Sequence, residues 1–176
     1  LRQQRFSWSD DASDTTYVVP VVVRTDAGIQ RLLLESEPVS ITVGPTGAVV
    51  VNQEGHGFYR VGYDHQLRER LVRNLDSLEV LERYHLVDDL WNEVLAGRAT
   101  AEDMLNVITA MSAESTLAVW QAMINALRQL ARVMPEARRA GFATTCADIC
   151  RPALRRLGDP QPGDTELDAS LRGLLI

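Results

Sequence analysis

Lysine is missing from this chain: all 18 basic residues are arginine, set against 24 acidic residues, for a net charge of −6. An acidic chain with scattered arginines repels a phosphate backbone, which argues against nucleic acid as a partner. Long apolar runs are missing too. No stretch approaches the roughly 20 residues needed to cross a bilayer, and no basic leader precedes an apolar run, so nothing here targets or spans a membrane. Cysteine is nearly absent. Cys146 and Cys150 stand four apart on a predicted helix, too few and too close for a disulfide framework and without further ligands for a tetrahedral zinc site. They read as two small buried apolar side chains and suggest a reducing, cytoplasmic compartment.

Catalytic signatures are equally scarce. The three histidines, His56, His65 and His85, form no His-Glu-x-x-His pair, the arrangement that sets two imidazoles on one helical face around zinc with a glutamate as general base. His85 and Asp89 come nearest, at i and i+4 on a helix, and read as a surface hydrogen bond or ion pair. Gly-x-Ser-x-Gly, the Walker A loop and the dinucleotide-binding glycine pattern do not occur. Carboxylate neighbours such as Asp88-Asp89 point about 100° apart on a helix and are not expected to share a site. Local chemistry alone therefore describes a non-catalytic region.

What is present changes period after its first third. Residues 15–23 are β-branched and suit a strand, with Pro20 at an edge or bulge. Asp26-Ala27-Gly28 turns the chain into Ile29 to Leu34, a hairpin. Val39 to Val43 alternates, Pro45-Thr46-Gly47 turns, and Ala48 to Val51 is apolar again. Short strands between turns suggest an antiparallel β-sandwich. From Asp64 the period is helical. Asp64 caps a helix with Leu67, Leu71 and Leu75 on one face. Ser77 precedes a second, with Leu86, Leu90 and Val94 inward and Gly97 past its end. Thr100 and Asp103 form a capping box before Met104, Val107, Ile108 and Met111. Leu117, Trp120, Ile124, Leu127 and Met134 mark a long helix ended by Pro135. The next spans Glu136 to Leu157, kinked or broken at Pro152.

The fold class expected is therefore multidomain β plus α. Residues 1–64 form a partial antiparallel β-sandwich, and residues 65–176 an α-helical array of HEAT- or armadillo-like hairpins, an α-solenoid regular or irregular. The opening Leu-Arg-Gln-Gln-Arg-Phe reads as the middle of a strand. The last helix, Leu167 to Ile176, reads as one without a packing partner inside the sequence. A fragment of a longer protein, with an incomplete helical domain, is the expectation.

One segment is distinctive: Asn52-Gln53-Glu54-Gly55-His56-Gly57-Phe58-Tyr59-Arg60-Val61-Gly62-Tyr63-Asp64. It resembles the Asn-x(3-4)-Gly-[Tyr/Phe]-Tyr-Arg-Val-x-Tyr-Asp segment that joins the β-sandwich to the helical C-terminal domain in the aminopeptidase N family, the gluzincin type of zinc aminopeptidase. Further matches follow in that family's order. Gln4-Arg5-Phe6 is similar to its Gln-x-Arg-Phe strand and Tyr17-Val18-Val19-Pro20-Val21 to its aromatic-x-x-Pro-Leu strand. The segment from Glu82-Arg83 to Asp88-Asp89 is similar to its Asp-Arg-x-x-Leu-Ile-x-Asp helix, with Glu82 in place of aspartate. Glu114 with Val119-Trp120, and Leu171-Arg172, complete the series, which covers nearly the whole chain.

The resemblance implies a parent enzyme that removes N-terminal residues from peptides, using zinc held upstream of Leu1. It also implies that this region is partnered by that catalytic domain and by peptide substrates, and closes over the active site. No catalytic or metal residue carries over, because the zinc motif is not in these positions. The candidate domain-seam or peptide-contact residues are Gly57, Tyr59, Arg60, Tyr63, Asp64, Arg83 and Asp89. Gly57 would allow a special backbone conformation or a close approach. Phe58, Val61 and Tyr63 would fill the seam between sandwich and helices. Arg60 would pair with an acid there or attract a peptide carboxylate. A stand-alone protein-binding module is the alternative.

Overall fold

The computed structural model describes residues 1–7 and 15–176. Among them are three strands and six α-helices, in two compact units, Leu1–Ala99 and Thr100–Ile176.

In the first unit, β1 (Val19–Thr25) and β2 (Gly28–Leu34) form the expected hairpin around Asp26-Ala27, with Thr25 opposite Gly28 and Val19 opposite Leu34. Gly28 has φ 120°, a conformation that favours glycine. β3 (Val49–Val51) pairs antiparallel with the other side of β1, giving the order β2-β1-β3. Its partners run only from Val23 to Thr25, so Pro20 lies where its missing N–H disturbs no bond to β3. Val21, Val23, Leu34 and Val49 form the core of the sheet, and Leu1, Val39, Ile41, Tyr59 and Leu67 pack on it.

Two expected strands are not formed. Val39 to Val43 and Gln4-Arg5-Phe6 lie outside regular structure. Leu1 and Val39 instead exchange two backbone hydrogen bonds, at 2.6 and 2.8 Å. The Gln3 amide then replaces a ladder: it accepts from the Tyr17 N–H at 2.8 Å and donates to the carbonyls of Leu34 and Glu35 at 3.1 and 2.7 Å.

Asp64 caps α1 (His65–Arg73) as its position predicts, accepting from the Leu67 N–H at 2.8 Å. α2 (Val80–Leu95) follows Ser77 as expected and is capped by Glu79, whose N–H is accepted by Glu82, three residues on, at 2.9 Å. Leu86 and Leu90 are buried, and Gly97 has φ 69° just past the helix end. The chain changes from strand to helix at Asp64. The first compact unit nevertheless reaches Ala99, because α1 contacts β3 and α2 contacts the turn at Gln53–Gly55 that follows β3.

The second unit holds α3 (Ala101–Ala110), α4 (Leu117–Val133), α5 (Glu136–Leu157) and α6 (Glu166–Leu175). The box at Thr100 and Asp103 closes, with reciprocal bonds of 2.9 and 3.0 Å. A second box at Thr165 and Asp168, unread in the sequence, opens α6 in the same way. The expected apolar stripes are buried, Met104, Val107, Ile108 and Met111 behind the first box and Trp120, Ile124 and Leu127 along α4. One expectation is narrowed and another corrected. α5 is not broken at Pro152, a break being one of the two outcomes expected there, because Pro152 and Asp148, whose carbonyl loses its donor, are both exposed and water can replace the bond. α6 does not lack partners: it packs on α4 and α5, and Leu171 and Leu175 are buried.

Glu114 and Arg172, which the sequence matched to family patterns, are buried and structural. Glu114 accepts the N–H groups of Ser115 and Thr116 at 2.7 and 2.8 Å, and its carbonyl takes the Trp120 indole N–H at 2.8 Å. Arg172 donates to the carbonyls of Leu157 and Gly158, closing the end of α5, and to Asp164 at 2.7 Å.

Candidate functional site

All seven candidate residues lie in the first unit, on the connector from β3 to α1 and on α2. The connector begins with a closed loop. Asn52 adopts φ 63°, and its side chain bridges the loop: Oδ1 accepts the Gly57 N–H at 2.7 Å and Nδ2 donates to the Gly57 carbonyl at 3.0 Å. Gly57 is required for close approach and not for an unusual φ. A Cβ there would stand 2.0 Å from Tyr59 Cε1 and 2.8 Å from Asn52 Oδ1. Tyr59 packs on the sheet core, and burial pushes its hydroxyl above the ordinary pKa. Phe58 fills no seam; its side chain is fully exposed.

Beyond the loop the connector is clipped to α2. The Val61 N–H donates to Asp89 Oδ2 at 3.1 Å, and Arg60 Nη1 lies 2.9 Å from Asp88 Oδ2 and 3.6 Å from Asp89 Oδ1. Asp88 and Asp89 therefore share one guanidinium, contrary to the expectation from their angular separation. The 100° between them is spanned because Arg60 stands between the two side chains. Asp89 is also not a surface partner of His85: it is buried and bound to Val61 and Arg60. On its other side the Arg60 guanidinium lies over the Phe6 ring, 5.4 Å from the centroid, and Arg98 lies over the same ring at 5.1 Å. Arg98 is held in turn by Glu93 at 3.2 Å and the Ser7 carbonyl at 3.3 Å.

Burial pushes the Asp89 carboxyl up to about 7, against the lowering effect of the Val61 N–H; Asp88 and Glu93 add to the rise and Arg60 opposes it. Tyr63 accepts the Val51 N–H at 2.9 Å, tying the connector back to β3, and desolvation drives its pKa far up. Asp64 is the cap of α1. Arg83 donates to the Leu78 carbonyl at the head of α2. The arrangement thus joins sheet, connector and helix through charge-assisted bonds.

Sequence reasoning missed Asp88, Phe6, Arg98 and Glu82. Glu82 was read only as the residue standing in place of an aspartate in the family's helix, not as part of a site. It is buried, bonded through Oε2 to Arg24 of β1, and its Oε1 has no partner among the described residues. Among the described residues no three His, Cys, Asp or Glu side chains are grouped to hold a metal. His56 pairs with Glu54 at 3.0 Å, His65 with Glu69 at 3.5 Å, and His85 lies against Tyr84. These residues do not fit a zinc centre.

Comparison with known proteins gives consistent matches. The family model described as the ERAP1-like C-terminal domain matches residues 48–176. The Tricorn protease-interacting factor F2 of Thermoplasma acidophilum is 27% identical over 99% of this chain and 22% of its own length. Aminopeptidase M1 of Arabidopsis thaliana is 26% identical, with all of this chain and 23% of its own length aligned. Aminopeptidase M1-A of Oryza sativa subsp. japonica is 29% identical over 73% of this chain and 15% of its own length. The chain spans less than a quarter of the length of these relatives. It belongs to the ERAP1-like C-terminal domain family, as a C-terminal segment of the aminopeptidase N type.

Proposed function

We propose that this chain is the non-catalytic C-terminal region of a zinc aminopeptidase that removes N-terminal residues from peptides. One observation carries the reading: a family match over residues 48–176, in a chain that aligns over 73% to all of its length with a fraction of much longer relatives, two of them named aminopeptidases. Residues 1–64 are part of a β-sandwich and residues 65–176 part of a helical array of solenoid type; the change from strand to helix at Asp64 supports that division. The parent enzyme is cytoplasmic. Its zinc is bound by a His-Glu-x-x-His helix in an upstream catalytic domain, this region's intramolecular partner. The helical part closes over that domain and limits which peptides enter.

The seven candidate residues hold the seam and shape the chamber; Arg60, already engaged by two carboxylates, is less available to a peptide terminus. The purified chain is expected to bind no stoichiometric zinc and to cleave no aminoacyl reporter. Metal-dependent turnover by this chain alone would overturn the placement of the active site. For the access role, the parent enzyme and a form lacking residues 65–176 are compared on peptides of graded length. A length preference that survives the deletion sinks that role.

A further inference from the structure

Beneath α2, in the first unit, lies a small, partly open cavity of about 10 Å³, walled by aliphatic side chains and by Asn52, Tyr63, Glu82, His85 and Asp89. That is the room of one water molecule. Most of the wall is apolar, but its polar part holds a group that needs a partner. Glu82 is 5% exposed, and its Oε2 is occupied by Arg24 and by the Glu79 N–H. Its second oxygen, Oε1, is buried and has no hydrogen-bond partner among the described residues. An unsatisfied buried carboxylate oxygen is among the most costly groups a folded chain can hold, and native proteins meet it with a donor or an ordered water. Tyr63 supplies the complement. Its hydroxyl oxygen accepts from the Val51 N–H at 2.9 Å, which leaves the hydroxyl proton for another acceptor. Tyr63 is within electrostatic reach of both Glu82 and Asp89.

We infer that this cavity is a binding site for a single structural water, which donates to Glu82 Oε1 and accepts the Tyr63 hydroxyl proton. Its second proton faces the remaining acceptors of the same wall, the Asp89 carboxylate among them. A water needs two to four polar partners to be held in place, and this wall provides them. The water would link α2 to the connector and, through Tyr63, to β3, adding a polar joint to the clip made by Arg60, Val61 and Asp89.

The test is an atomic-resolution crystal structure of the wild-type protein, with solvent relaxation dispersion in solution. Expected is one density peak at hydrogen-bond distance, about 2.6 to 3.2 Å, from both Glu82 Oε1 and Tyr63 Oη. Relaxation dispersion should count one more long-lived water in the wild type than in Tyr63→Phe. The idea is overturned by an empty cavity with Glu82 placed as here, or by Glu82 Oε1 bonded directly to a protein donor. A peak with several oxygen ligands at about 2.3 to 2.6 Å would also overturn it, in favour of a cation. If Tyr63→Phe does not fold, the wild-type density decides alone.

Discussion

Val61 gives its backbone N–H to the carboxylate of Asp89, 28 residues further along the chain, at 3.1 Å. That bond holds the connector on α2 and places a carboxyl group in a setting where ionisation is costly. Asp89 is raised to about 7 from 3.8. Between about pH 4 and pH 7 the folded chain therefore retains a proton that the unfolded chain has released, so stability falls as pH rises through that window. The slope should approach roughly 1 kcal/mol per pH unit. Asp89→Asn keeps the acceptor for Val61 and removes the titration. Urea unfolding of both proteins across the window should show a flatter profile for the variant. Parallel profiles would mean that Asp89 stays ionised and that Arg60 outweighs burial.

Arg60 is the other half of that clip. Arg60→Ala leaves Asp88 and Asp89 without their shared cation and uncovers one face of Phe6, a loss of roughly 1 to 3 kcal/mol. The expected result is a lower melting temperature of this chain, with the parent enzyme's preference among peptide lengths unchanged. Altered handling of long peptides at unaltered stability would assign Arg60 to substrate instead.

Gly57→Ala forces a methyl group to within 2.0 Å of the Tyr59 ring and 2.8 Å of Asn52 Oδ1. Either the ring leaves the sheet core or the Asn52 bridge opens, and the variant should lose about 1 to 3 kcal/mol. Gly141 is the control. It lies within α5, where an added Cβ meets nothing within 4 Å, so Gly141→Ala should gain about 0.5 to 1 kcal/mol. Denaturant midpoints of the two variants should move in opposite directions; a shared direction would refute the steric account of Gly57.

These residues also show which parts of the fold could be read without coordinates. Helix limits at Asp64, Thr100 and Pro135 were legible because capping and proline effects are local, acting within one turn. The sheet was legible as the hairpin β1–β2, whose turn residues announce it, and as the apolar run Ala48 to Val51 that holds β3, though not in the pairing of β3 with β1. Val39 to Val43 has the alternation of a strand, but its pairing depends on distant partners, and here Leu1, bonded to Val39, and the Gln30 side chain, donating to the Thr42 carbonyl, supply isolated bonds in place of a ladder. Within the candidate site, Gly57, Arg60 and Asp89 were found through a family resemblance. Asp88 and Phe6 lie in segments of that resemblance but were not singled out, and Arg98 lies outside it, since nothing in sequence spacing brings residue 6 to residues 60 and 98. The sharing of Arg60 by adjacent aspartates was argued against from helix geometry, which describes the helix alone and not what lies over it.

In the second unit the end of α5 depends on Arg172, a buried cation whose donors meet the Leu157 and Gly158 carbonyls at 3.2 and 3.0 Å and Asp164 at 2.7 Å. Those carbonyls belong to the last turn and have no intrahelical donor. Arg172→Met preserves most of the side-chain volume and removes every bond, stranding the carbonyls, and should cost about 2 to 4 kcal/mol. Arg172→Lys retains the charge without the planar fork and should fall between the two. Asp164→Asn should cost much less, because Asp164 lies near the surface and the carbonyl bonds survive. Hydrogen exchange at the last amides of α5 separates local from global effects: Arg172→Met should speed exchange there beyond the fall in global stability. Uniform acceleration across both units would show that Arg172 supports the whole fold and not this helix end.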